Sequence, residues 1–157
     1  MNAFVWNLIL ALIWVAATGN FSFINLFIGF LIGFLVLVFT RRIVGSPEYF
    51  IKVGQVLGLG LFFIWELILA NLRVAHDVIT PRHYMRPGVL AIPLDAQTDL
   101  EITMLSNLIT LTPGTLSLDI SVDRRVLYLH AMYIDDPEEV RRKIKDGYER
   151  RILEVLR

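Results

Sequence analysis

Hydrophobic side chains run almost unbroken along the first 40 residues, and no Lys, Arg, Asp or Glu precedes Arg41. The polar notch Thr18-Gly19-Asn20 splits this run into two apolar stretches, about Ala3 to Ala17 and Phe21 to Thr40. A hydrocarbon core about 30 Å thick takes ~20 apolar residues in a helix, and unpaired backbone groups are costly in lipid. The pattern therefore predicts two membrane helices with a turn at the notch. A cleaved signal peptide fits less well, because the first run has no basic flank and another apolar run follows at once. Arg41-Arg42 ends the second stretch, and Gly45-Ser46-Pro47 predicts a turn.

A third apolar run extends from Tyr49 to about Val74, interrupted by Lys52, Gln55, Glu66, Asn71 and Arg73. At about 100° per residue, Gln55, Phe62, Glu66, Leu69 and Arg73 share one side of a helix. That polar seam must face protein or water, since a carboxylate in lipid is expensive. Glu66 has two readings: a buried contact to a polar group on a neighbouring helix, or a place in an ion path. One carboxylate with no second titratable group at its depth cannot form a continuous relay.

Gly29 and Gly33, then Gly54 and Gly58, stand at GxxxG spacing. Such pairs let helix backbones approach closely, and together with the seam they suggest partner helices from other chains. Glycine is also simply frequent in membrane helices. Orientation stays open, because both the 41–52 loop and the 73–86 segment are basic and basic loops prefer the cytoplasm. Three full crossings would place them on opposite sides. Both are cytoplasmic only if one run is re-entrant or lies along the interface; the first run is the shortest and the third the most amphipathic.

Beyond the membrane region, residues 1–75, a proline-punctuated linker (76–87) leads to a small α+β domain (88–157) of βαββα order. Val89 to Leu94 reads as a strand. Thr98-Asp99-Leu100-Glu101 has capping-box form and opens a helix presenting Ile102, Leu105, Leu108 and Ile109, which Pro113-Gly114 stops. Thr115 to Ser121 alternates, predicting a half-buried strand with Leu116, Leu118 and Ile120 inward. Val126 to Ile134 is its hairpin partner. Asp136-Pro137-Glu138-Glu139 starts a last helix, whose buried stripe is Val140, Ile144, Tyr148, Ile152 and Val155/Leu156. A domain this small is marginal alone, so it is expected to dock on the membrane part or a neighbour.

Charge adds little. Of 15 basic and 15 acidic residues, the first 75 positions hold only Arg41, Arg42, Lys52, Arg73, Glu48 and Glu66. No basic excess marks a nucleic-acid partner. With no cysteine there is no thiolate metal site or Cys nucleophile, and His76, His83 and His130 are too few and badly spaced for a metal. Ser106, Ser117 and Ser121 lie in no nucleophile elbow, and Gly58-Leu59-Gly60 is no dinucleotide loop. Neither catalytic residue nor cofactor is expected. Arg141-Arg142-Lys143, interleaved with Glu138, Glu139, Asp146 and Glu149, reads as a solvated face, with weak attraction to an anionic leaflet as a lesser reading.

The stretch Leu111-Thr112-Pro113-Gly114-Thr115-Leu116-Ser117-Leu118-Asp119, with Leu129-His130 in the next strand, resembles the E subunit of multisubunit cation/proton antiporters of the Mrp (Mnh) type. Glu66, Ala70-Asn71, Val74, Pro81 and Pro87-Gly88 support the likeness, which runs nearly end to end. It implies a multi-pass subunit of a bacterial inner membrane that works with other antiporter subunits to exchange Na⁺ or K⁺ for protons. It further implies an accessory role in assembly and activity, and a cytoplasmic C-terminal domain. Thr112-Pro113-Gly114-Thr115 is expected to be a fold-making turn, or else a docking loop. Two rivals are a related subunit of a membrane-bound hydrogenase-type complex and a free-standing membrane-anchored regulatory module.

Overall fold

Helix α1, Ala3–Thr18, and helix α2, Phe23–Val44, form an antiparallel hairpin at the place the polar notch predicts. Gly19, at φ +63°, ends α1 in the left-handed region. Asn25 ties the turn together: its Nδ2 donates to Thr18 Oγ1 at 2.6 Å and to the Asn20 carbonyl at 2.7 Å. The Trp14 indole donates to Asn25 Oδ1 at 3.1 Å. The computed structural model describes residues 3–44, 47–80 and 85–157; Gly45-Ser46 of the expected turn, and Pro81 and His83 of the linker, lie outside them.

Helix α3, Pro47–Ile79, has 33 residues and runs past both ends of the expected span. By length and composition α2 and α3 are each able to cross a membrane, while α1, at 16 residues, is shorter. Contacts divide the chain into two compact units, Met1–Gly54 and Gln55–Arg157, with the boundary inside α3. In the first, Asn7 is fully buried and its Nδ2 donates to the Tyr49 hydroxyl at 2.9 Å.

The second unit carries the α+β fold in the expected βαββα order. Strands β1 (Gly88–Pro93), β2 (Thr115–Ile120) and β3 (Val126–Ala131) form an antiparallel sheet of order β1-β3-β2. Helix α4, Asp99–Leu111, begins at the predicted capping box: Glu101 N–H donates to Thr98 Oγ1 and Thr98 N–H to Glu101 Oε2, both at 3.2 Å. Ile92, Leu105, Ile109, Leu127, Leu129 and Ile152 make the centre of the core.

The strand β2 corrects one expectation. Leu116 and Leu118 point away from the core, 45% and 49% exposed, while Thr115, Ser117 and Ile120 face it. Ser117 lies under α4, its Oγ donating to the Ser106 carbonyl at 3.1 Å. The cause is a β-bulge: Ser117 pairs with Leu129 and Asp119 with Tyr128, leaving Leu118 without a partner. One extra residue moves the inward phase from odd to even positions, a shift that alternation alone does not reveal.

The last helix is also not uniform. Helix α5 (Pro137–Arg142) passes into a π-helical segment, Lys143–Glu149, and then into α6, Arg150–Leu156. The apolar stripe recurs every fourth residue from Val140, a spacing that drifts about 40° per step around 3.6-residue turns. Wider π turns hold more residues each and cancel that drift, so Ile144, Tyr148 and Ile152 all stay buried.

Candidate functional site

The polar seam of α3 faces the α+β fold of its own unit. Glu66, 8% exposed, forms an ion pair with Lys143 of the π-helical segment. One turn earlier Phe62 meets Tyr148 edge-on, ring centroids 5.2 Å apart, and the Arg151 guanidinium sits 4.2 Å from the Phe62 centroid. Gly147 makes room for this, since a Cβ there would lie 3.2 Å from Phe62 Cζ. Further along, Arg73 stacks over Tyr133 at 5.3 Å, and the Tyr133 hydroxyl donates to buried Asp77.

The remaining seam and notch residues fall elsewhere. Leu69 lines a cleft. Gln55 Oε1 is buried without a hydrogen-bond partner among the described residues. Asn71 turns back on its own helix, donating to the Leu67 carbonyl at 2.7 Å. Gly29 and Gly33 are filled from within the chain: a Cβ at Gly29 would meet the Trp14 side chain at 2.9 Å, and one at Gly33 would meet Leu10 Cβ at 3.1 Å. For that pair the helix received is α1 of the same chain and not a partner's. A Cβ at Gly54 or Gly58 would meet nothing within 4 Å among the described residues.

The Thr112-Pro113-Gly114-Thr115 turn closes α4 by side-chain bonds. Thr112 Oγ1 donates to the Leu108 carbonyl at 3.0 Å and Thr115 Oγ1 to the Ile109 carbonyl at 2.7 Å, adding side-chain donors to the carbonyls of the helix end. Gly114 takes φ +89°, which a side chain rarely adopts, and its carbonyl accepts from Met132 N–H at 2.8 Å. Thr112 also shares a 3.2 Å hydrogen bond with Tyr148. Beside the turn is a cleft of about 130 Å³, lined by Arg73, Thr112, Gly114, Tyr133, Lys143 and Tyr148. A wider depression bordered by Arg73, His76, Asp77, Tyr133 and Glu139 adjoins it.

The electrostatics suit a clasp better than a reaction centre. The hydrogen bond to Asp77, and then burial, push the Tyr133 hydroxyl above its ordinary range, while burial raises Tyr148. Both phenols stay protonated donors at neutral pH. No group of three or more His, Cys, Asp or Glu able to hold a metal occurs among the described residues. Sequence reasoning missed Tyr133, Tyr148, Arg151 and Asp77 as seam partners. It placed Lys143 and Glu149 on a solvated face, yet Lys143 reaches Glu66, and Glu149 is buried, accepting from the Asp95 and Ala96 amides at 2.6 and 2.9 Å.

Apolar helices are joined to a small α+β fold, onto which Glu66, Arg73 and Asp77 of α3 bond or pack, the arrangement of a membrane-helical chain. A family profile described as Na⁺/H⁺ ion antiporter subunit matches residues 7–155. Relatives include the E subunits of the Na⁺/H⁺ antiporters of Bacillus subtilis, 42% identical, and Alkalihalophilus pseudofirmus, 38% identical; each match covers 96% of both chains. Among solved structures, a chain of the Mrp complex from Dietzia sp. DQ12-45-1b is 32% identical at TM-score 0.50, covering 65% of this chain and 96% of that one. A chain of the membrane-bound sulfane sulfur reductase, an archaeal respiratory membrane complex, is 25% identical at TM-score 0.56, covering 97% and 98%. The chain belongs to the family of Na⁺/H⁺ antiporter E subunits, membrane transporter components rather than enzymes.

Proposed function

We propose that this chain is an accessory subunit of a multisubunit antiporter exchanging Na⁺ or K⁺ for protons, needed for assembly and activity while larger subunits carry the ion path. The observation behind this reading is the Glu66–Lys143 ion pair. The one carboxylate within the apolar runs is engaged in a contact inside the chain, which favours a holding role for it over passing a cation or proton onward. In this proposal its α+β fold lies on the cytoplasmic side. The unfilled notch at Gly54 and Gly58 is assigned to a partner helix.

Purification in mild detergent, with identification of every co-migrating chain, tests this. Co-migration with large hydrophobic antiporter subunits is expected; a lone particle of 18.0 kDa chains overturns it. The likeness to the sulfane sulfur reductase chain over 97% of the sequence favours one second reading, membership of a redox-coupled membrane complex. Co-purifying subunits with Fe–S cysteine motifs would select it.

A further inference from the structure

We propose that α3 does not cross the bilayer but lies along its surface, with one face in the headgroup–acyl boundary and the opposite face carrying the α+β fold. The first support is length. Side chains of α3 from Leu59 to Asp77 pack on or bond to that fold, a stretch of about 28 Å at ~1.5 Å per residue. Only Pro47 to Gly58 remains, about 18 Å, against a hydrocarbon core of about 30 Å. A crossing α3 would draw Lys143, Arg151 and the turns beside them to hydrocarbon depth, where charges are strongly disfavoured.

The second support is the division of faces. Leu57, Leu61, Ile64, Trp65, Ile68 and Leu72 are all exposed large apolar residues, between 48% and 69%. They occupy one side of the helix, centred about 150° from Glu66 at 100° per residue. No charge interrupts this stripe. A membrane-spanning helix would have lipid all round its exposed girth, whereas this helix has one apolar side and one side already covered by polar and aromatic contacts, the pattern of an interfacial helix. Trp65 suits the headgroup level.

The third support is the distribution of basic residues. With α3 at the surface, the 41–52 and 73–86 segments, both basic, lie on one side of the membrane, as the preference of basic loops for the cytoplasm requires. This inference concerns the path of α3 and stands whether the complex is an antiporter or a redox assembly.

The chain has no cysteine, so single-cysteine variants report cleanly in the assembled complex. Spin labels at Leu57→Cys, Leu61→Cys, Ile68→Cys and Leu72→Cys, read for oxygen against nickel-chelate accessibility, should sit at one shallow depth. A depth that changes steadily along the series, by about 1.5 Å per residue, would overturn the proposal. An independent measurement uses Glu48→Cys and His76→Cys, exposed residues at the two ends of α3. An impermeant maleimide should label both from the same side of the membrane; labelling from opposite sides contradicts the proposal.

Discussion

Glu66 on α3 and Lys143 on the C-terminal helix form an ion pair in which the carboxylate is buried and the lysine side chain is 48% exposed. The two partners therefore stand to lose differently. Lys143 can return to water when its partner goes, while Glu66 cannot. Lys143→Met should cost about 1–3 kcal/mol, the desolvation penalty of an unpaired buried group, and Glu66→Gln clearly less. Denaturant titration of the solubilised chain checks the order; equal or reversed losses contradict it. In the complex, Glu66→Gln should weaken assembly more than it alters cation selectivity, read by co-purification and by transport in vesicles.

Gly147 sits where a side chain would strike Phe62. Gly147→Val should overpack this contact and destabilise the unit by about 1–3 kcal/mol, while Phe62→Leu in the same chain should recover part of the loss. Thermal melting of the single and double variants is the measurement, and full additivity would sink the contact.

The bulge at Leu118 makes a sharp distinction between leucines. Leu118→Ser, on the outward face, should change the chain's own stability by no more than about 0.5 kcal/mol. Leu129→Ala, fully buried, should cost about 2–5 kcal/mol. Equal costs would restore the unbulged register.

Acid should loosen the fold through Glu101. Its carboxylate is held at about 2, below an ordinary 4.5, first by the Arg157 guanidinium and then by the Gln97 and Thr98 amides. A depressed folded value means that stability is complete above the unfolded value and is lost as pH falls from about 4.5 toward about 2. Glu101→Gln should flatten that part of the stability–pH curve without changing its slope near neutrality. A curve identical to the parent's in acid would remove Glu101 from the account.

The two glycine pairs should behave differently. Gly33→Leu meets Leu10 and Asn7 of α1 and should destabilise the hairpin within the isolated chain. A Cβ at Gly58 meets nothing within 4 Å among the described residues, so Gly58→Leu should leave the chain's melting unchanged while reducing co-purification of partner subunits. Undiminished co-purification would leave the notch without a partner helix.

Much of the architecture was legible because single residues announce it: the Thr18-Gly19-Asn20 notch, the Thr98–Glu101 capping box, and Pro137 after Asp136 all lie where elements begin or end. What was hidden depended on tertiary pairing. Alternation in β2 names two faces without saying which is inward, and a bulge then exchanges them. The every-fourth-residue stripe after Val140 suggested a plain helix, a spacing that α and π turns share. The seam on α3 was visible through Glu66 and Arg73, yet its partners were not. Lys143 sits in a run of mixed charge, and only the packed fold singles it out.

On the proposed function, ion exchange belongs to the assembled complex and not to this chain. The most direct test is sodium-driven proton movement in vesicles containing either the purified chain alone or the intact complex. Exchange is expected with the complex, and none above the protein-free rate with the chain alone. Sodium–proton exchange by the isolated chain would contradict it.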